Sequence, residues 1–225
     1  MIIGMGYKAR QGKDTCCNAL VESRGAKKYG FADRLKYEVT GWMQCAHLYA
    51  SQTGIDPDDT LRVWDAGFLY WIKVSRPEWV VPDVVPDMSD PLLPLGKHRT
   101  LCQWWGTDHR RKENENYWVR RLDIQIKQDN PKYAVISDVR FPNEFDWIKS
   151  QGGVTVKVMR PGYSIPSTHL SECALDGYNF DYTLVGFEGD VEGLKRAAIR
   201  LFDLVTTPHV HVKSGAVSID CTQEF

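Results

Sequence analysis

Apolar residues in this chain alternate between two patterns: short continuous runs, and longer stretches in which they recur at helical spacing. The runs predict strands at residues 1–3, 26–31, 133–137, 154–159 and 182–185. The recurrent stretches predict a helix opening at Asp14, then helices at 33 to about 49, 58–74, 99–105, 117–127, 142–150 and 191–205, with a short one at 167–175. Leu35, Val39, Trp42, Met43 and Leu48 form the buried stripe expected of the second helix. Strand and helix taking turns imply an α/β protein with a parallel sheet covered on both faces. Ligands of such sheets sit beyond the carboxyl ends of the strands.

Two regions break the pattern. Residues 75–98 hold Pro77, Pro82, Pro86, Pro91 and Pro94. Proline removes an amide donor and blocks helix continuation, so this stretch reads as an irregular surface insertion. The tail at 208–225 shows no strong pattern. A single domain over 1–207 with that insertion is expected, and no internal repeat is visible.

The first strand runs into Gly6-Tyr7-Lys8-Ala9-Arg10-Gln11-Gly12-Lys13-Asp14-Thr15, and a helix opens at once. A loop bounded by glycines and feeding a helix N-terminus is a phosphate cradle, because loop amides and the helix dipole favour an anion there. Lys13 can then reach the β- and γ-phosphates of a nucleotide. The usual spacing has four residues between the glycines and a hydroxyl directly after the lysine. Here Asp14 follows Lys13 and the hydroxyl comes at Thr15. A plain strand-turn-helix with a surface lysine is the competing reading.

Asp138 stands at the end of an apolar strand, where a carboxylate beside a phosphate loop can hold Mg²⁺ or its waters; capping of the next turn is its other use. Arg140 projects from the same edge and Glu144 follows about one turn into the next helix. They fit a substrate phosphate or a helix-start ion pair. Arg34 and Lys36 in the first turn of the second helix run against the dipole preference, as for an anionic ligand or a solvated face. Gly106-Thr107-Asp108, then His109-Arg110-Arg111-Lys112 and Tyr117-Trp118, fit a mobile cover at 106–118 or a water-facing helix connection.

With 225 residues, 43% of them hydrophobic, the chain can bury a core, and a formal net charge of −1 gives no general attraction to nucleic acid or anionic membrane. No apolar run approaches the ~20 residues that span a bilayer, and no signal peptide precedes the glycine loop. Six cysteines show no CxxC pair, and Cys16 and Cys17 read as packing residues. No histidine pair has metal-ligand spacing. These features predict a cytoplasmic protein with reduced thiols and no nucleic-acid or membrane partner.

Taken together, the segments resemble the bacteriophage deoxynucleoside monophosphate kinases, a branch of the P-loop kinases. The resemblance rests on residues 9–15, ending in Gly12-Lys13-Asp14-Thr15, on Leu101-Cys102-Gln103-Trp104-Trp105-Gly106-Thr107-Asp108, and on Tyr117-Trp118-Val119. It continues through Asp138-Val139-Arg140-Phe141-Pro142-Asn143-Glu144, Arg160-Pro161-Gly162 and Thr168-His169-Leu170-Ser171-Glu172. The resemblance implies a three-layer P-loop kinase-like fold and transfer of a phosphoryl group from ATP to a deoxynucleoside monophosphate (dNMP). It implies that Arg10, Gly12, Lys13, Asp14, Thr15 and Cys16 hold ATP. It further implies that Lys36, Arg62, Arg99, Gly106, Thr107, Trp118, Asp138, Arg140 and Glu144 surround the acceptor, with Lys13, Arg10, Asp138 and Arg140 catalytic. Mg²⁺ would meet Thr15 and Asp138. A homodimer stays open, and a phage source would place the protein in the cytoplasm of the infected cell. The alternatives are another P-loop kinase, with dephospho-coenzyme A or a nucleoside as acceptor, and a nucleotide-binding module without turnover.

Overall fold

The computed structural model describes residues 1–39, 102, 104–163, 170–207 and 217–220. The backbone gathers into two compact units, one formed by Met1–Phe31 with Trp118–Phe225 and the other by Ala32–Tyr117.

The first unit is an α/β sheet unit. Its strands are β1 (Ile2–Gly6), β2 (Lys27–Tyr29), β3 (Ala134–Val139), β4 (Val154–Met159), β5 (Tyr182–Val185) and β6 (Val217–Asp220). They lie in the order β2-β3-β1-β4-β5-β6, and every neighbouring pair is parallel. The described helices are α1 (Lys13–Arg24), α2 (Tyr117–Asp129), α3 (Pro142–Ser150), the short α4 (Leu170–Cys173) and α5 (Val191–Thr206). The five expected strands are all present, β2 being shorter than the run that predicts it. The sixth strand, β6, lies in the tail that carries no strong sequence pattern.

One face of the sheet packs on α1 and α5. Ile3, Met5, Val135, Val156, Val158 and Leu184 meet Cys16, Cys17 and Leu20 from α1 and Leu194, Ala198 and Leu201 from α5. Cys16 and Cys17 are thus core residues, and burial pushes the Cys16 thiol up to about 12. On the other face α3 comes so close that a side chain at Gly4 would collide with Ile148. Phe145 there meets the Phe180 and Tyr178 rings edge-on. Helices on both faces of a parallel sheet are what the near-continuous apolar strands require.

In the second unit residues 33–39 are helical and Trp104–Arg111 form a π-helix. Arg62, Arg99, the helix expected at 58–74 and the proline-rich stretch 75–98 lie outside the described residues. Among the described residues no helix is long and apolar enough to cross a membrane.

Candidate active site

The loop between β1 and α1 lies at the carboxyl edge of the central strand. Its backbone turns through positive φ at Tyr7 (91°), Arg10 (56°) and Gly12 (98°). Gly12 is the cap of α1, and a Cβ there would lie 2.6 Å from Leu194, so conformation and space both favour glycine. The first intrahelical bond runs from the Cys16 amide to the Gly12 carbonyl at 3.0 Å. Amides before it have no carbonyl within the helix to bond, which suits them to an anion.

Contacts from two strand ends and the short helix α4 fix the loop. The Tyr7 amide donates to the Val139 carbonyl at the end of β3, 3.3 Å. Gln11 joins the loop to the turn after β4: its amide donates to the Tyr163 carbonyl at 3.1 Å, and its oxygen accepts from the Arg160 amide at 2.5 Å. The Ala9 amide donates to a carboxylate oxygen of Glu172 at 2.7 Å.

Lys13 is buried, its ammonium donating to the carbonyls of Tyr7, at 3.2 Å, and of Lys8. Burial first, then the Arg140 charge, pushes its pKa down to about 8, while Glu172, Asp138 and Asp14 act the other way. Arg140, Glu172 and Asp138 are therefore all within electrostatic reach of Lys13.

Asp138 and Arg140 flank the end of β3, whose last residue is Val139. The Asp138 carboxylate accepts from the Phe31 amide at 2.8 Å. The Arg140 guanidinium pairs with Glu172 through a short contact. Glu144, 2% exposed, accepts from the Arg140 amide at 2.7 Å and the Phe141 amide at 3.1 Å, capping α3. Of the two uses its sequence position suggested, this is nearest the helix-start one, although backbone amides replace the arginine side chain as partner.

The remaining expected residues are more dispersed. Arg10 is exposed on the loop, and Thr15 is half-buried in the first turn of α1. Asp14 faces outward and pairs with Lys28 at 2.6 Å. Trp118 is a core residue on α2. In the second unit Lys36 is exposed and pairs with Asp33 at 3.1 Å, while Gly106 and Thr107 lie on the π-helix, Gly106 packed against Leu35. Arg110 is no water-facing charge. Its side chain is 13% exposed and lies over the rings of Trp105 and Tyr117, with centroids 4.7 and 4.9 Å away. Glu38 accepts from Trp105 Nε1 and the Tyr117 hydroxyl, both at 3.0 Å. Sequence reasoning did not single out Glu172 as a site residue, since one glutamate on a four-residue helix leaves no periodic signal.

A family model described as deoxynucleotide monophosphate kinase matches residues 97–197. A protein of Acanthamoeba polyphaga mimivirus, "Putative deoxynucleotide monophosphate kinase", is 31% identical over 193 residues, covering 82% of this chain and 88% of its own length. The chain belongs to the deoxynucleotide monophosphate kinase family. A second relative in this kinase family, the deoxynucleoside-5'-monophosphate kinase of Escherichia phage T5, is 24% identical over 253 aligned positions, 93% of this chain and 99% of that one. The stretch matched by the kinase family model takes in Asp138, Arg140, Glu144 and Glu172.

Proposed function

We propose that this protein transfers the γ-phosphoryl group of ATP to a deoxynucleoside monophosphate, giving the diphosphate and ADP. The observation that carries the reading is the buried Lys13 in a glycine-capped loop, within electrostatic reach of Arg140 at the end of the neighbouring strand. Family membership and the names of both relatives support the same chemistry.

An oxygen of the acceptor phosphate attacks the γ-phosphorus, the bond from that phosphorus to the bridging oxygen breaks, and ADP leaves. The second pKa of a phosphate monoester is ~6, so the attacking oxygen is ionised at neutral pH and no strong general base is required. What the protein must supply is alignment and neutralisation of charge spread over the transferred group. Lys13 leaves its loop carbonyls for the β- and γ-phosphates, amides of the loop and helix start from Arg10 to Thr15 hold the donor, and Arg140 clamps the acceptor phosphate. Glu144 serves by fixing the backbone from which Arg140 extends. Lys36, Arg62, Arg99, Gly106, Thr107 and Trp118 are assigned to the acceptor or its cover on the family likeness.

The Thr15 hydroxyl and the Asp138 carboxylate are hard oxygen donors of the kind that suit Mg²⁺. Mg²⁺ in phosphate-transfer sites is commonly held by one or two side chains together with substrate phosphates and water. When bound, the ion would neutralise and orient the β- and γ-phosphates. The cytoplasm, of an infected cell for a viral chain, supplies both substrates.

A coupled assay for ADP with a panel of dNMPs, ribonucleoside monophosphates, nucleosides and dephospho-coenzyme A tests the reading. Turnover confined to one or more dNMPs is expected. Turnover only with another acceptor, or none with any, overturns it.

A further inference from the structure

The carboxylate of Glu172 touches both halves of this site. Its side chain is 5% exposed, and it is held on the short helix α4. One oxygen accepts the Ala9 amide at 2.7 Å; the other pairs with Arg140 NH1. We propose that Glu172 is a positioning residue that ties the phosphate loop to Arg140, so that one carboxylate sets the donor and acceptor halves together. The proposal rests on the kinase reading above.

Both ends of this link need holding. On the loop side, Ala9 lies between two non-glycine residues with positive φ, Tyr7 and Arg10, so the turn has to be stabilised from outside. A charged acceptor on the Ala9 amide does that more strongly than a neutral one. On the acceptor side, Glu144 fixes the Arg140 backbone while Glu172 fixes its guanidinium. Arg140 and Lys13 also repel each other, and Glu172 offsets that repulsion at Lys13. A guanidinium carries five N–H donors in a planar fork. Arg140 can therefore keep Glu172 on one edge while another edge receives a phosphate oxygen. The carboxylate acts through Arg140 and the loop, and touches no reacting atom.

The test compares Glu172→Gln and Glu172→Ala with Arg140→Ala and with the double variant Arg140→Ala/Glu172→Gln. KM for ATP and for the preferred dNMP, thermal melting, and amide exchange over residues 7–12 are measured for each. Glutamine keeps an acceptor for the Ala9 amide but loses the charge that holds the guanidinium. Glu172→Gln should raise the dNMP KM about tenfold, the scale of one lost charge-assisted contact, and change the ATP KM much less. In the Arg140→Ala background the same change should alter the dNMP KM less than about twofold, because the effect passes through that arginine. Glu172→Ala should in addition speed exchange over 7–12 and raise the ATP KM. Equal effects of Glu172→Gln in both backgrounds, or a lowered melting temperature with both KM values unchanged, overturn the proposal. If Glu172→Ala does not fold, the glutamine variant alone decides. A wild-type protein that turns over no dNMP overturns the kinase reading instead, and the loop half of the proposal then stands or falls on exchange over 7–12.

Discussion

Arg140 in the sheet unit and Arg110 in the second unit each pair with a glutamate but differ in what else holds the guanidinium. Arg140 rests against a carboxylate, Glu172, at the edge where ligands of a parallel sheet bind. Arg110 lies over two aromatic rings and beside Glu113 at 3.0 Å. A guanidinium paired to a carboxylate along one edge keeps its other N–H donors ready for a phosphate, because the planar fork carries five of them. Little competes for one spread over Trp105 and Tyr117, because that contact is packing as much as charge. Charge count alone therefore does not mark a phosphate-binding arginine. What the guanidinium rests against separates one kept ready for a ligand from one that holds a fold together.

The comparison has a reference point in Lys13, where the largest effect is expected. Lys13→Ala should lower kcat by about 10²–10³ while the protein stays folded, the loss seen when one preorganised donor is removed. Near-normal turnover in a folded variant would remove the cradle. The same residue sets a pH dependence. Its pKa, pushed down to about 8 by burial and then by Arg140, leaves it charged at neutral pH and discharges it as pH rises through that value. The kcat/KM for ATP, which reports the free enzyme, should fall above about pH 8.

Next comes Arg140 itself. Arg140→Ala should raise the dNMP KM by about 10–100-fold and the ATP KM far less, and Arg140→Lys should recover little because an ammonium cannot clamp bidentately. Equal changes in both KM values, or full rescue by lysine, would erase the contrast with Arg110.

Arg110→Ala should do the reverse. Losing contact with two rings should cost about 1–2 kcal/mol of stability, seen as a lower denaturation midpoint of the second unit. Arg111→Ala, whose guanidinium donates to the Glu115 carbonyl at 3.4 Å, should cost less. An Arg110→Ala protein with unchanged stability and a collapsed kcat would make Arg110 a ligand residue after all.

The smallest effect concerns a carboxylate with no part in the site. Asp181 is pushed up by burial, yet Lys149 at 2.7 Å and the Thr155 amide and hydroxyl, both at 2.9 Å, hold it below the ordinary carboxylate range. A folded pKa below the unfolded one means that its stabilisation is complete above ~4 and is lost as pH falls through the folded value. Asp181→Asn should lower stability by about 1 kcal/mol at pH 7, and the difference from the wild type should vanish in acid. A difference constant with pH would show that the charge is irrelevant there.

The sequence was legible wherever a pattern repeats or a turn forces a residue type. Apolar runs gave five strands their places, and Gly12 and Lys13 marked the cradle because glycine takes the left-handed cap without strain and leaves room for Leu194. What stayed hidden lacks periodicity. The strand β6 shows one alternation in Val217-Ser218-Ile219-Asp220, too short to stand out, and it exists because β5 offers an edge. The π-helix at Trp104–Arg111 begins in the helix expected at 99–105 and runs on through the segment read as a cover or connection, since its i→i+5 bonding leaves no mark on side-chain type. Arg110 fitted a cover or a water-facing connection in sequence because cation–aromatic contacts follow from packing, and Glu172 gave no site signal of its own because its partners are 163 and 32 residues away.

The position of β1 bears on how the protein is made. Its neighbours are β3, where Ile2 pairs with Ala134, and β4, where Ile3 pairs with Val154. A segment in the middle of the sheet thus leaves the ribosome more than a hundred residues ahead of both its partners. At synthesis rates of about 5–20 residues per second, the phosphate loop has no strand to dock against for roughly seven to thirty seconds. During that interval Ile2–Gly6 is an apolar segment with both edges unpaired, open to chaperones and to wrong partners. Moving β1 behind β4 by circular permutation would shorten that wait, and the yield of folded protein made in cell-free synthesis without chaperones would report the difference.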